Sequence, residues 1–101
     1  MSFGGGDRFD VLNGDAVYDE ITVGTTAVEV KVGGSPLAER RMVHITPKDN
    51  QVFWGYDSSV TTSTGTRVWK DQTVFLPVGP DISIYLIANG AGKGVSIAEL
   101  A

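Results

Sequence analysis

Apolar and polar residues alternate along most of the chain from residue 17 onward, and this period of two is typical of β-strands with one buried face. Val28, Val30 and Val32, for example, alternate with Glu29 and Lys31. No segment longer than a turn has the 3.6-residue spacing of an amphipathic helix. The pattern therefore predicts an all-β fold.

Turn-forming residues divide this alternation into short strands, spaced about 8–12 residues apart as in β-sandwiches. The predicted strands are 28–32, 42–45, 52–56, 67–69, 74–78, 82–88 and 95–100. The most apolar of them, 82–88, is expected at the centre of a sheet, and Asn89–Gly94 is expected to form a hairpin loop. We predict a single antiparallel β-sandwich of about seven or eight strands, and the pattern leaves jelly-roll and immunoglobulin-like topologies open.

The charge of the chain is concentrated at its N-terminus. The 101 residues are enough for one domain, with a net charge of −4. Residues 1–20 hold five acids and one base, whereas residues 21–101 hold seven of each. We therefore divide the chain into an extended Gly/Asp-rich N-terminal arm, 1–16, and a sandwich domain, 17–101. The residues of the arm predicted to contact a partner are Phe3, Asp7, Phe9, Asp10, Val11 and Leu12.

Composition excludes several classes of partner. Without a surplus of Lys and Arg, the chain is not expected to bind nucleic acid. Its one adjacent basic pair, Arg40–Arg41, is expected to be solvated at the start of a strand. No apolar run approaches the roughly 20 residues that cross a bilayer, so no membrane partner is expected. The first residues lack the basic and apolar regions of a secretory signal, which predicts a chain that is made in the cytoplasm.

Residues suited to catalysis or metal binding are scarce. The chain has no cysteine and a single histidine, His44, which is predicted to lie in mid-strand as an ordinary packed or surface side chain. Asp7, Asp10 and Asp15 lack the spacing of a calcium loop. The glycine-rich segment 89–94 lacks the Ser or Thr that follows Gly-Lys in a phosphate loop. We expect no catalytic residue, no metal and no cofactor.

Four aromatic residues lie in or beside predicted strands: Trp54, Tyr56, Trp69 and Tyr85. Large rings of this kind bury up to 150–250 Å² each and often build a core. They also form exposed faces that bind sugars or proteins. The sequence leaves both interpretations open.

The stretch from Val23 to Ala101 resembles small virion structural proteins of tailed bacteriophages. The resemblance rests on Val23-Gly24-Thr25-Thr26-Ala27-Val28-Glu29-Val30, the Arg41–Ile45 strand, and the aromatic-Gly strand Val52-Phe53-Trp54-Gly55-Tyr56 followed by a Ser/Thr/Gly loop to Gly65. It continues at Phe75, at Ile82-Ser83-Ile84-Tyr85-Leu86-Ile87-Ala88 and at Val95-Ser96-Ile97. It covers about four-fifths of the chain but not the arm.

The resemblance implies a non-enzymatic β-sandwich of the virion, most simply a capsid decoration (cement) protein that binds the major capsid protein or another virion protein. The resemblance also favours a homo-oligomer, and among oligomeric states it favours a trimer. A head–tail connector or tail accessory subunit is one alternative. A carbohydrate-binding sandwich that uses Trp54, Tyr56 or Trp69 as a stacking platform is the other.

Overall fold

The computed structural model describes residues 15–101, and all regular structure in this part of the chain is β-sheet. The eight strands are β1 Ala16–Val23, β2 Val28–Glu29, β3 Met42–Pro47, β4 Val52–Gly55, β5 Thr66–Val68, β6 Val74–Leu76, β7 Tyr85–Ile87 and β8 Lys93–Leu100. Within the same residues, no helix has the length and apolar character needed to cross a membrane.

The strands form two four-stranded antiparallel sheets, and the predicted β-sandwich is confirmed. Sheet A has the order β1-β8-β3-β6, and sheet B has the order β2-β7-β4-β5. The pairs β1–β8, β2–β7, β3–β6 and β4–β5 are therefore nested one inside the next. This nesting is the eight-stranded jelly roll, and it decides between the two topologies that the sequence left open.

Most connections run from one sheet to the other. Only β4 and β5 are consecutive in the chain and also paired. Asn89–Gly94 lies between β7 in sheet B and β8 in sheet A, so the hairpin predicted there is wrong. Glycine-rich segments turn the chain equally well within a sheet or between sheets, because their backbone freedom does not specify a pairing partner.

The core lies between the sheets and follows the alternation. Its fully buried members include Val43, Ile45, Val95 and Ile97 from sheet A, and Val52 and Leu86 from sheet B. The prediction of a central strand near residues 82–88 is confirmed, because β7 lies between β2 and β4. Leu86 in β7 and the residues that flank this strand, Ile84 and Ala88, alternate inward and are buried.

Strand β1 was not among the specifically predicted strands, and Asp19 is the reason. Ile21 and Val23 point toward the core, and the same parity places the exposed Asp19 on the inward side of β1. A charge is tolerated there because β1 is the edge strand of sheet A. It interrupts the apolar alternation from which a strand would be recognised.

Candidate docking face

The outer face of sheet A carries few charges and is built from aligned cross-strand rows. The pairing register places Tyr18 of β1, Ala98 of β8, His44 of β3 and Phe75 of β6 side by side in one row. All four alternate with inward residues, so their side chains point away from the core. Tyr18 is 85% exposed and Phe75 is 58% exposed.

Two further rows flank this aromatic row. Ala16, Leu100 and Met42 form the row on one side, and Glu20, Ser96 and Thr46 begin the row on the other. Thr46 Oγ1 lies 2.7 Å from Thr73 Oγ1. This contact extends the row of Glu20, Ser96 and Thr46 to Thr73, which precedes the edge strand β6. Glu20 is the single carboxylate in the three rows, which are otherwise apolar or hydroxyl-bearing.

A groove of about 380 Å³ runs across this face, and we call it the sheet-A groove. Tyr18 and Phe75 form its two walls, and the small Ala98 leaves the floor open between them. The ring of His44 meets the ring of Phe75 edge-on, with centroids 4.5 Å apart. The other lining residues are Thr46, Thr73, Ser96 and Ile97.

The outer face of sheet B, unlike that of sheet A, is partly covered by the loop 56–65. Val60 in this loop is buried against Gly55, where an added Cβ would lie 2.7 Å from Val60 Cγ2. A Cβ at Gly65 would lie 2.8 Å from Phe53 Cβ. The two glycines therefore let Val60 and its loop close over the sheet, whereas nothing in residues 15–101 covers the sheet-A groove in this way.

Arg67 covers a second part of sheet B. Phe53 alternates with the core residue Val52, so its ring lies on the outer face, yet it is buried. The Arg67 guanidinium lies 5.4 Å from the centroid of the Phe53 ring and 4.6 Å from that of Trp69. These cation–π contacts enclose Phe53 and occupy one side of the Trp69 indole.

The loop 56–65 is also held by its own hydroxyl groups. Asp57 Oδ1 accepts hydrogen bonds from the Ser59 hydroxyl and from the Ser59 amide, the latter at 2.9 Å. These two bonds lower the pKa of Asp57, the side-chain bond most, because they stabilise its ionised form. Thr61 and Thr64 bond each other's hydroxyl and backbone groups in the same loop.

The expectation that Arg40–Arg41 is a solvated pair is wrong for Arg40. Arg40 is 2% exposed, and its Nη1 donates a 2.7 Å hydrogen bond to Oε2 of the fully buried Glu99. Its Nη2 donates to the carbonyl oxygens of Gly79 at 2.8 Å and of Ile82 at 2.7 Å. Arg40 follows a turn rather than a strand repeat, so the alternation carried no information about its side chain.

Glu99 accepts backbone hydrogen bonds as well as the Arg40 contact. Val32 N–H donates to Oε1 at 2.8 Å, and Leu37 N–H donates to Oε2 at 3.2 Å. The ion pair therefore fastens the β2–β3 and β6–β7 connections to β8. A signal for Glu99 was present in the sequence, since it occupies the inward position that follows Val95 and Ile97 in the alternation.

The arm residues predicted to contact a partner, Phe3, Asp7, Phe9, Asp10, Val11 and Leu12, lie outside the described residues. His44 lies in mid-strand, as predicted, and its side chain is half-buried. Tyr18 and Phe75 were not predicted as site residues. Both are large aromatic rings at outward positions of the strand alternation, where polar residues are usual. A large ring at such a position is the sequence signal that could have identified them.

The four aromatic residues divide between core and surface. Trp54 and Tyr85 are half-buried, and Trp54 packs against the core. Tyr56 is 62% exposed and Trp69 is 54% exposed. Trp54 meets Tyr56 edge-on at 5.2 Å between ring centroids. Tyr56 and Trp69 lie near opposite ends of the β4–β5 hairpin, so they do not form one continuous platform.

Among residues 15–101, no group of three or more His, Cys, Asp or Glu side chains is arranged to hold a metal ion. Asp7 and Asp10, two of the three acids considered for calcium, lie outside this range. Comparison with protein-family models, with curated proteins and with solved structures gave no match. Residues 15–101 form a jelly-roll domain whose outer sheet-A face exposes two aromatic rings and carries few charges.

Proposed function

We propose that this chain is a non-enzymatic structural protein of a tailed-phage virion, a capsid decoration (cement) protein that binds the major capsid shell through the outer face of sheet A. The observation that carries the proposal is the row Tyr18–Ala98–His44–Phe75, which exposes two aromatic rings on a hydrogen-bonded sheet. Exposed apolar patches rimmed by polar residues are typical of protein–protein contact sites.

The chemistry of the face suits a protein partner. Aromatic residues are enriched and charged residues are depleted at the centres of protein interfaces. A buried charge costs several kcal/mol unless it is paired, and the aromatic row avoids this cost because it contains no Asp, Glu, Lys or Arg. The four paired strands fix the backbone from which the rings project, so no loop has to be ordered at this face on binding.

The fold is compatible with the role without requiring it. Jelly rolls form viral capsid domains, but they also form lectins and cupins, so the site has to carry the functional argument. The His44 ring packs at a steep angle against the Phe75 ring, with 4.5 Å between centroids, and this contact supports a packing role for His44. The acidic N-terminal arm adds a second contact region, for which we propose a basic strip on the partner.

Shell binding by paired surface variants tests this proposal. Purified chain is added to shells that lack it, and the bound fraction is measured by co-sedimentation. We expect Tyr18→Ser with Phe75→Ser to weaken binding by at least about tenfold, because the few residues that dominate an interface are often aromatic and each cost about 2 kcal/mol or more when truncated. Trp69→Ser is the matched control, because Trp69 lies beside β5 of sheet B and is about as exposed as Phe75, and it should bind like the native chain. Equal binding by both variants would overturn the proposal.

Copy number separates decoration from the connector alternative. A decoration protein that follows the shell lattice is present in on the order of hundreds of copies, whereas a connector or tail ring holds roughly six or twelve. Quantitative mass spectrometry against the major capsid protein gives this ratio directly. A ring-like stoichiometry would place the chain at the head–tail junction or tail.

A carbohydrate-binding role is the second candidate, and the exposure of Trp69 and Tyr56 favours it. Arg67 lies over one side of the Trp69 indole, so one side remains for stacking on a sugar. A glycan array answers the question: binding that Trp69→Ala abolishes and Tyr18→Ser leaves intact would support this role. Binding to shells that Trp69→Ser leaves intact would count against it.

A further inference from the structure

The edge strands of the two sheets differ in length. β6, β2 and β5 form three of the four edges and span 3, 2 and 3 residues, whereas β1 forms the fourth and spans 8. Short edge strands are a common protection, because a long edge presents a row of unpaired backbone groups to other chains. Among residues 15–101, β1 is therefore the one edge long enough to pair with a whole additional strand.

Alternate backbone groups of β1 point toward this edge. Ala101 N–H donates to the Asp15 carbonyl oxygen at 2.8 Å, so Asp15 and the odd-numbered residues after it direct their backbone groups toward β8. Gly94, opposite Thr22 in the register, agrees with this, because its carbonyl oxygen accepts from Lys48 N–H on the other side of β8. The residues of β1 whose backbone groups point away from β8 are Ala16, Tyr18, Glu20 and Thr22.

The side chain of Asp19 lies at this edge. Asp19 Oδ1 accepts a 2.8 Å hydrogen bond from Glu20 N–H, one of the backbone groups that points away from β8. Asp19 and Glu20 are both exposed, and β1 contains no Lys or Arg. The edge therefore combines unpaired backbone groups with negative charge.

This charge disfavours a second copy of the chain as the occupant. Two β1 strands that pair about a two-fold axis, with their inner faces on the same side, overlap most when Asp19 or Glu20 lies opposite its own copy. Like charges directly opposite each other destabilise a sheet. A Lys or Arg at these positions of an added strand forms cross-strand ion pairs instead.

We propose that the edge of β1 binds an extended, basic segment of another protein, which adds a fifth strand to the four of sheet A. Backbone hydrogen bonds along the edge give affinity, and Lys or Arg opposite Asp19 and Glu20 gives specificity. A base opposite Asp19 also draws its carboxylate away from Glu20 N–H, which then donates to the added strand. The site is the edge of sheet A and not its outer face, so this proposal goes beyond shell binding and fails separately from it.

The synthetic peptide Val-Thr-Val-Lys-Lys-Thr-Val tests the proposal on the native chain by NMR titration. In the antiparallel register its lysines lie opposite Glu20 and Asp19. We expect it to shift the amide resonances of β1, and to bind at least about tenfold more weakly when both lysines are replaced by glutamate. N-methylation of its second, fourth and sixth residues, whose N–H groups face β1, should abolish binding. N-methylation of its third, fifth and seventh residues should leave binding intact, because those N–H groups face solvent.

A variant of the chain tests the edge itself. Thr22→Pro removes one edge-facing N–H and is compatible with an edge strand, because this N–H lies outside the β1–β8 ladder. It should weaken binding of the lysine peptide at least about fivefold, the effect of one hydrogen bond. Thr22→Ala keeps the N–H and is the matched control, which should bind like the native chain.

Two results would overturn the proposal on the native chain alone: no binding of the lysine peptide, or equal binding of the two N-methylated peptides. Dimerisation of the chain that Thr22→Pro abolishes and Thr22→Ala retains would also overturn it, because a second copy would then occupy the edge.

Discussion

Arg40 and Glu99 are 59 positions apart in the sequence and meet inside the sandwich, with 2.7 Å between Nη1 and Oε2 and both side chains fully buried. Backbone carbonyl and amide groups satisfy most of the remaining donors and acceptors, and Arg40 Nε has no partner among residues 15–101. The buried ion pair and its backbone hydrogen bonds therefore join the β2–β3 and β6–β7 connections to β8.

Removing one member of this pair should destabilise the domain strongly. Glu99→Gln leaves the Arg40 guanidinium buried without a counter-charge, and loss of one partner from a buried pair typically costs about 3–5 kcal/mol. Urea unfolding measures the change in the free energy of unfolding. Glu29→Gln is the control, because Glu29 pairs with Lys31 at 3.3 Å near the surface and should cost less than about 1 kcal/mol.

A double variant separates the charge from the packing. Arg40→Met with Glu99→Met removes both charges together and should recover most of the stability lost in Glu99→Gln, since apolar replacement of a whole buried pair is often neutral. A double variant as unstable as Glu99→Gln would show that the backbone hydrogen bonds of the pair, and not its charge balance, hold the connections.

The closure of the loop 56–65 over sheet B should depend on Gly65. Gly65→Ala brings a Cβ to 2.8 Å from Phe53 Cβ and 2.9 Å from Val60 Cγ2, and overpacking of this kind typically costs about 1–3 kcal/mol. Gly34→Ala is the matched control, because a Cβ there meets nothing within 4 Å. Thermal unfolding of both variants gives the comparison, and equal melting temperatures would contradict the packing described for Val60.

The same loop should respond to acid through Asp57. Its pKa is lowered in the folded state, so its favourable contribution is fully present above the pKa of the unfolded chain and is lost as pH falls through the folded pKa. NMR titration of the Asp57 carboxyl should show Ser59→Ala raising the pKa toward its ordinary value, but only part of the way, because the Ser59 amide bond remains. Ser58→Ala should leave the pKa of Asp57 unchanged, and an equal rise there would contradict the assignment.

The sequence predicted the fold class because alternation and turn residues are local signals. Val43, Ile45, Val95 and Ile97 are buried as their parity requires. Strand order depends instead on which connections cross from one sheet to the other. The glycines of 89–94 could turn the chain either into a hairpin or into the other sheet, so they do not indicate which occurs. Topology therefore had to come from the structure.

The candidate site was less predictable than the fold. The row that joins Tyr18 to Phe75 combines residues 57 positions apart, and only the pairing register brings them together. Each ring alone is an ordinary exposed aromatic residue in the sequence. The groove between them depends equally on the small size of Ala98, which no local pattern marks as significant.

A density map of the intact particle would show directly which face of the domain contacts the shell. We expect many copies of the jelly roll on the shell, with Tyr18 and Phe75 of sheet A against the major capsid protein and the loop 56–65 facing outward. A map in which the loop 56–65 meets the shell and sheet A faces solvent would contradict this expectation, as would shells without the chain.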